Sequence, residues 1–173
     1  MEQAKKYKSA DEFIKELEKK WEIVYHWTNQ KFDKFDINKV GSKTDEWIIG
    51  KGIYLTTNRK FAKWYAKDHN DEFIINVFIN NAKIFDLHNL KTKKAFAEKI
   101  WMKEHDLYQT RDWLIIPKDF KSANKFWIKL KEMGYDWASF KRSEGTIETV
   151  IYNVDTVKTE TQLKEIWEQA HSK

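Results

Sequence analysis

The sequence contains no cysteine, one proline and five glycines among its 173 residues. Without cysteine the chain has no disulfide, no thiolate zinc site, no iron–sulfur cluster and no cysteine nucleophile. No Ser/Gly-rich or Pro-rich stretch indicates a linker, so we expect one domain over residues 1–173. No apolar run is long enough to span a membrane, and the first 20 residues lack the apolar segment of a signal peptide. The sequence therefore predicts a cytoplasmic protein without a membrane partner.

The chain is rich in charged and aromatic residues. It carries 32 Lys and Arg against 27 Asp and Glu, a formal net charge of +5, together with 9 Trp, 7 Tyr and 11 Phe. Hydrophobic residues make up 41%, which is typical of a globular domain. The basic balance, the lysines of Lys91–Lys94 and the tryptophans are also compatible with a non-catalytic nucleic-acid-binding module. The alternative interpretation is a solvated lysine surface around an aromatic core.

Local patterns predict short strands with helices between them. Ser9 and Glu12 form a capping-box signature for a helix over residues 9–20, Asn58 suits the N-cap of a second helix, and Gly134 suits a left-handed helix end. Strands are expected at Glu22–His26, Gly52–Thr56, Glu72–Ile79, Ala82–Phe85, Tyr135–Phe140 and Ile147–Asn153. A helical insert is expected over residues 92–134 and a closing helix over 161–170. The pattern predicts an α+β domain with a mostly antiparallel or mixed sheet of five or six strands.

The common motifs for nucleotide and metal sites are absent from the sequence. There is no Gly-rich dinucleotide fingerprint, no Walker lysine loop and no His-Glu-x-x-His run. The five histidines show no metal-ligand spacing, and the polar residues around His69 are more typical of a solvated loop. We therefore expect no metal.

Two segments carry polar or aromatic residues that are open to more than one interpretation. His26 follows the apolar residues of the first strand, where it is either structural or lies at the mouth of a sheet. In Gly50–Ala66, Gly52 lets the backbone turn sharply or approach a ligand closely before Tyr54. Tyr54 and Tyr65 are either core residues or residues that contact a ligand ring.

Glu148 is the third candidate. Period-2 alternation places it on the same strand face as Val150 and Tyr152. When a carboxylate with apolar neighbours is buried, it must have a compensating polar partner or a functional role. Either Glu148 has a functional role, or its strand is a sheet edge that leaves the carboxylate in solvent.

Taken together, these segments resemble the ADP-ribosyltransferase superfamily, in its diphtheria-toxin-like and poly-ADP-ribose-polymerase-like branch. That branch has a His–Tyr–Glu trio on three separate strands. Tyr25–Thr28 (YHWT) resembles the first-strand motif, and Gly50–Ala66 resembles the second motif, with two tyrosines 11 residues apart. Glu148–Lys158 resembles the last-strand motif of small bacterial and phage members. The resemblance implies an α+β fold with a split, mostly antiparallel sheet and flanking helices.

The resemblance also implies NAD⁺ as co-substrate. His26 would hydrogen-bond the ribose attached to nicotinamide, and Glu148 would hold the 2′-hydroxyl of that ribose and stabilise charge in the transition state. The implied catalytic residues are His26, Tyr54 and Glu148. The residues implied to bind NAD⁺ are His26, Trp27, Thr28, Gly52, Tyr54 and Tyr65.

Two positions depart from the patterns of related enzymes. Trp27 stands where the family usually has Gly, so the indole must point away from the pocket or reshape it. Thr146 stands where arginine-modifying relatives carry Glu or Gln, which disfavours an arginine acceptor.

The implied activity is mono-ADP-ribosyl transfer to a protein or nucleic acid. By analogy the chain would be a toxin, phage effector or defence factor, with a cognate inhibitor or antitoxin as partner. The alternatives are NAD⁺ hydrolysis on the same fold and the non-catalytic nucleic-acid-binding module.

Overall fold

The computed structural model describes residues 2–28, 31–39, 52–67, 73–80, 82–87, 92–109, 115–141 and 145–172. Within these residues it has five α-helices and nine strands. The helices are α1 (Ala10–Glu18), α2 (Arg59–Lys67), α3 (Lys93–Ile100), α4 (Phe120–Glu132) and α5 (Glu160–His171). The strands are β1 (Glu22–Thr28), β2 (Ile53–Thr56), β3 (Phe73–Ile79), β4 (Ile84–Asp86), β5 (Leu107–Gln109), β6 (Ile115–Pro117), β7 (Trp137–Lys141), β8 (Ile147–Ile151) and β9 (Val157–Thr159).

The predicted α+β class with mostly antiparallel strands is confirmed. Within the described residues, the pairs β1–β3, β3–β9, β2–β8, β7–β8 and β5–β6 are antiparallel, and β4 pairs with β7 in parallel. The chain forms two compact units. Unit 1 comprises Met1–Phe35, Thr57–Asn81 and Asp155–Lys173, and unit 2 comprises Asp36–Thr56 and Ala82–Val154. The expectation of a single domain over residues 1–173 stays a prediction.

Unit 1 contains the antiparallel strands β1, β3 and β9, with β3 in the middle. Helices α1 and α5 pack together beside them. Their shared core consists of Ala4, Phe13, Ile14, Leu17, Phe78, Leu163 and Ala170. Since Phe78 comes from β3 and Leu163 from α5, this core joins the closing helix to the sheet.

Polar caps begin all three helices of unit 1. Ser9 Oγ accepts a hydrogen bond from the Glu12 backbone N–H at 3.2 Å, which confirms the predicted start of α1. The Glu12 carboxylate accepts from the backbone N–H of Lys8, one residue before the cap. Asn58 Oδ1 accepts from two N–H groups of the first turn of α2, as predicted. Thr159 and Gln162 form a complete capping box at α5.

Unit 2 contains the strand order β4-β7-β8-β2 and the segment 92–134. We call residues 92–134 the insert. Helices α3 and α4 and the strand pair β5–β6 of the insert pack against one face of β7 and β8. The unit 2 core consists of Phe85, Leu87, Phe96, Ala97, Ile100, Leu107, Ile115, Ile116, Phe126, Leu130, Ala138, Phe140, Val150 and Tyr152. The insert therefore supplies much of the hydrophobic core of this unit.

Three expectations need correction. The insert is not all helical, because β5 and β6 pair between α3 and α4. The described residues contain nine strands rather than five or six. β1 continues to Thr28, so His26 lies inside the strand and not at its end. Gly134 follows α4 with a φ of +71°, which confirms the left-handed helix end.

Several expectations fall on residues outside the described ranges. They include Gly50, the polar residues around His69, and Asn81 of the turn predicted after β3. Within the described part of the chain, no helix has the length and apolarity that a membrane crossing requires. The same part contains no group of three His, Asp or Glu residues arranged to hold a metal ion.

Candidate active site

Glu148 lies in an interior strand of unit 2. β8 pairs with β7 on one side and with β2 on the other, and Glu148 stands opposite Phe140 and Thr56. The residue is 6% exposed. The interpretation of an edge strand with its carboxylate in solvent is therefore wrong. Burial of a carboxylate between two neighbouring strands is energetically costly, so it requires compensating polar interactions.

Tyr54 lies on the same face of unit 2 as Glu148. In the register of β2 with β8, Tyr54 stands opposite Val150, two residues beyond Glu148. Directly opposed residues of antiparallel strands share a face, and diagonal neighbours lie about 7–8 Å apart between Cα atoms. Tyr54 is half-buried and packs against the unit 2 core. The structure thus places two of the sequence-predicted residues side by side on one sheet face.

Tyr152 is a neighbour of these residues that the sequence pattern placed on this face without giving it a role. Burial, followed by the proximity of Tyr54, raises the pKa of the Tyr152 phenol well above its ordinary value. The phenol therefore stays protonated well above neutral pH and adds no negative charge beside Tyr54. Its ring contacts Trp127 of α4 edge to face, with 6.4 Å between ring centroids.

Close packing against β8 leaves no room for a side chain at Gly52. A Cβ at this position would overlap the Val150 side chain and lie 2.7 Å from the carbonyl oxygen of Ile151. The start of β2 therefore approaches β8 more closely than any side chain allows. This approach sets the spacing of the two strands that carry Tyr54 and Glu148. The predicted contact of Gly52 with NAD⁺ stays a prediction.

His26 lies in unit 1 within a group of aromatic rings. Its imidazole is 5.3 Å from the ring of Phe35 and 5.9 Å from that of Phe32, measured between centroids. The two phenyl rings contact each other edge to face at 5.0 Å. Sequence reasoning missed Phe32 and Phe35, although both lie within ten residues of His26. Packing among rings restricts the orientation of the half-buried imidazole.

Trp27 and His26 point to opposite faces of β1. Successive strand residues alternate, so Trp27 shares the face of Ile23, which packs on the core formed by α1 and α5. Thr28 lies on the His26 face. The indole therefore points away from the imidazole, and the bulk that replaces the family Gly is on the other side of the strand.

Tyr65 belongs to α2, but its side chain lies outside the described part of the structure. The structure places Tyr54 and Glu148 together in unit 2, and His26 with Thr28 on one face of β1 in unit 1. That both sets contact one NAD⁺ molecule stays a prediction. Thr146, which precedes β8, is 5% exposed.

Neither the curated proteins nor the solved structures gave a match to this chain. A family model, described as ADP-ribosyltransferase in polyvalent proteins, matches residues 20–172. This match includes β1, β2 and β8 with their candidate residues, and it agrees with the predicted superfamily. The chain therefore belongs to the family of ADP-ribosyltransferases in polyvalent proteins.

Proposed function

We propose that the chain is an NAD⁺-dependent mono-ADP-ribosyltransferase that transfers ADP-ribose to a macromolecule. The observation that supports this proposal most directly is Glu148, a carboxylate 6% exposed in an interior strand, with Tyr54 on the same face. The family match includes Glu148. The segment Glu148–Lys158 also resembles the last-strand motif of the superfamily, in which the glutamate is catalytic. NAD⁺ supplies the ADP-ribosyl group, with nicotinamide as the leaving group.

Glu148 would contribute electrostatic stabilisation. When the bond between nicotinamide and ribose breaks, its electron pair leaves with the nicotinamide nitrogen and positive charge develops on the ribose. A carboxylate already fixed by its strand stabilises this charge mainly in the transition state, which accelerates the reaction. The acceptor atom then forms a bond to the anomeric carbon and loses its proton, which Glu148 can accept.

The other candidate residues would bind NAD⁺. We propose that His26 hydrogen-bonds the ribose, that the Trp27 backbone holds the carboxamide of nicotinamide, and that Thr28 seats the ribose. Tyr54 and Tyr65 would pack around the nicotinamide ring, where aromatic contacts contribute about 0.5–1.5 kcal/mol each. Gly52 would keep the backbone close to the ligand. The residues that would hold NAD⁺ supply hydrogen-bonding and aromatic groups, which fit a nucleotide and need no metal.

We propose that the acceptor is a protein or a nucleic acid. An arginine side chain is disfavoured as the acceptor group, because Thr146 stands where arginine-modifying relatives carry Glu or Gln. A role as toxin, phage effector or defence factor, acting in a cytoplasm and restrained by a cognate inhibitor or antitoxin, follows by analogy with the superfamily.

Nicotinamide release from NAD⁺ tests the proposed role of Glu148. The matched variants are Glu148→Gln and Glu168→Gln, which make the same chemical change at a buried strand position and at an exposed position of α5. Removal of one preorganised electrostatic group lowers the rate about 10²–10³-fold. We expect that loss in Glu148→Gln and wild-type turnover in Glu168→Gln.

Folding must be checked alongside the rate. Circular dichroism and the thermal midpoint of Glu148→Gln should match those of the wild type, since Gln has nearly the same volume as Glu. Undiminished nicotinamide release in a folded Glu148→Gln variant would refute the role of this carboxylate.

A further inference from the structure

One edge of β3 in unit 1 is only partly paired. On one side β3 pairs with β1 along its whole length, whereas on the other side β9 pairs only with residues 77–79. Within the described part of the chain, residues 73–76 therefore have no strand partner on this second side. In an antiparallel ladder, successive residues direct their N–H and C=O groups to alternate sides. Half of residues 73–76 thus turn these groups toward the open side.

A cavity of about 350 Å³ follows this open edge. It contacts each of residues 73–76, and successive strand side chains point to opposite faces, so the cavity runs along the side of the strand. Its other lining residues are 31–33, 159–161 and Lys164. We call the cavity with these lining residues the edge groove. The main-chain groups of the open edge therefore face open space.

The edge groove has a wall on each face of the sheet. Helix α5, which begins after Thr159, packs on the face that carries Phe78. Phe32 packs against His26, which points to the opposite face. The Thr159 hydroxyl donates a hydrogen bond to the carbonyl oxygen of Asp33, which joins the two walls where β9 ends. The edge groove is therefore a slot in the plane of the sheet, at the position of a further strand.

The strand beside the groove lacks the features that usually protect an open edge. β3 (FIINVFI) contains no charged residue and no proline, which are residues that prevent pairing at sheet edges. Phe73, at the start of the open edge, is a large apolar residue that is 40% exposed. An uncharged and partly apolar edge of this kind can accept another strand.

The charges of the groove favour a polypeptide over a polyanion. The lining contains Lys31 and Lys164 together with Asp33 and Glu160, so the formal charges cancel. Glu160 and Lys164 also pair with each other, at 2.9 Å. A nucleic acid would meet two carboxylates here without an excess of positive charge to attract it, whereas a neutral peptide backbone meets no repulsion.

A second copy of the chain fits the groove less well than a single extended segment. Two β3 edges would have to approach to about 4.8 Å, the spacing of neighbouring strands. The walls of both copies, formed by residues 31–33 and the start of α5, would meet before the edges reached that distance. An extended segment has no such walls.

We propose that the edge groove binds an extended segment of a partner protein, which adds to β3 as a further strand beside residues 73–76. Main-chain hydrogen bonds to the open edge supply the affinity. Alternate side chains of the segment contact Phe73 on one face of the sheet and Ile74 on the other. This binding goes beyond the proposed catalytic function and requires neither NAD⁺ nor Glu148.

Fluorescence anisotropy with the full chain, in the absence of NAD⁺, tests the proposal. The probe is a fluorescein-labelled peptide of seven residues, in which Thr and Val alternate between a terminal Lys and a terminal Glu. The control peptide has the same sequence with methylated nitrogens at its five central residues, so it keeps the side chains but cannot donate main-chain hydrogen bonds. Because several hydrogen bonds are lost, we expect the methylated peptide to bind at least about 10-fold more weakly.

Hydrogen exchange of the wild-type chain locates the bound peptide. At a peptide concentration about ten times its Kd, an amide that only the peptide protects should exchange about 11-fold more slowly. We expect this change at alternate residues among 73–76 and no change in β8.

Phe73→Ala and Ile84→Ala form a matched pair of variants. Phe73 lines the groove, whereas Ile84, at β4 of unit 2, is similarly exposed at 39%. Cross-strand contacts of an aromatic ring are modest in energy, so we expect Phe73→Ala to weaken peptide binding about 2–5-fold. Ile84→Ala should retain the wild-type affinity. If Phe73→Ala does not fold, the two peptides and the exchange measurement on the wild type still decide the question.

Several results would overturn the proposal. They are equal binding of the two peptides, no binding of either, equal losses in the two variants, and protection confined to residues outside 73–76. Protection of residues 73–76 that depends on protein concentration and not on peptide would overturn it too, because a second copy would then occupy the edge. Nicotinamide release decides the catalytic proposal separately, since these probes and variants leave Glu148 and His26 unchanged.

Discussion

In unit 1 the candidate histidine is surrounded by rings from its own neighbourhood in the sequence, whereas in unit 2 the candidate glutamate is held between strands far apart in the chain. His26 contacts Phe32 and Phe35, within nine residues of it. Glu148 stands opposite Thr56, 92 residues earlier. The histidine is half-buried and the glutamate almost fully buried. Both residues lie in strands that pair over long distances, since His26 stands opposite Ile75. The comparison shows that rings from nearby in the sequence pack against the histidine, whereas the glutamate lies between two neighbouring strands.

Loss of the unit 2 core should give the largest effect on stability. Phe126 is fully buried in α4, and truncation of a buried Phe costs about 3–5 kcal/mol. We expect Phe126→Ala to lower the free energy of unfolding by this amount in urea titrations. Ile128 of the same helix is 46% exposed, so Ile128→Ala should change it by no more than about 0.5 kcal/mol. Equal effects of the two substitutions would show that α4 does not form part of the core.

Gly52→Ala tests the close approach of β2 to β8. The added Cβ meets Val150 and the Ile151 backbone, and overpacking of this kind costs about 1–3 kcal/mol. Because β8 carries Glu148, we expect nicotinamide release to fall as well. Gly134→Ala strains a left-handed backbone but leaves its Cβ 3.9 Å from the nearest atom, so turnover should be retained. A Gly52→Ala variant with wild-type stability and turnover would contradict the proposed packing.

His26→Phe tests the local part of the comparison. Phe keeps a ring against Phe32 and Phe35 but cannot form the hydrogen bonds proposed between the imidazole and the ribose, and a hydrogen bond contributes about 0.5–1.5 kcal/mol. We expect kcat/KM for NAD⁺ to fall about 3–10-fold, with little change in the thermal midpoint. The exposed His171→Gln serves as control. If kcat/KM is unchanged in His26→Phe, the histidine has a packing role only.

The ion pair of Asp106 should give the smallest effect, and it depends on pH. The hydrogen bond from Lys125 lowers the pKa of Asp106 in the folded state. Its stabilisation is therefore fully present above the unfolded-state pKa and is lost as the pH falls through the folded-state pKa. Because the lysine is half exposed, the contribution is at most about 1 kcal/mol.

Urea titrations of the wild type and Asp106→Asn at pH 7 and pH 2 measure this contribution. We expect the wild type to be more stable at pH 7 and the difference to shrink at pH 2. A difference that stays constant between the two pH values would show that the charge of Asp106 does not stabilise the fold.

Features fixed by neighbouring residues could be predicted from the sequence. The caps at Ser9 and Asn58 and the left-handed end at Gly134 each depend on the chemistry of a few adjacent residues. The alternation that places Glu148 with Val150 and Tyr152 is also local, and the register of β8 agrees with it. The family itself was recognisable because its motifs are short and carry specific residues in order.

Features decided by distant residues could not be predicted. Whether Glu148 was buried depended on the pairing of β8 with both β2 and β7, which no local pattern reveals. The strands β5 and β6 are three residues each, too short for a pattern of alternation to show. α3 ends at Trp101, a residue with a low preference for the left-handed conformation, so no Gly marked that end.

Mass spectrometry of a cell extract after incubation with NAD⁺ tests the central claim most directly, because it detects transfer itself. The account predicts a macromolecule, protein or nucleic acid, that gains one ADP-ribosyl group with the wild type and none with Glu148→Gln. If NAD⁺ is consumed and free ADP-ribose is the sole product, the chain is a hydrolase and the claim of transfer is wrong.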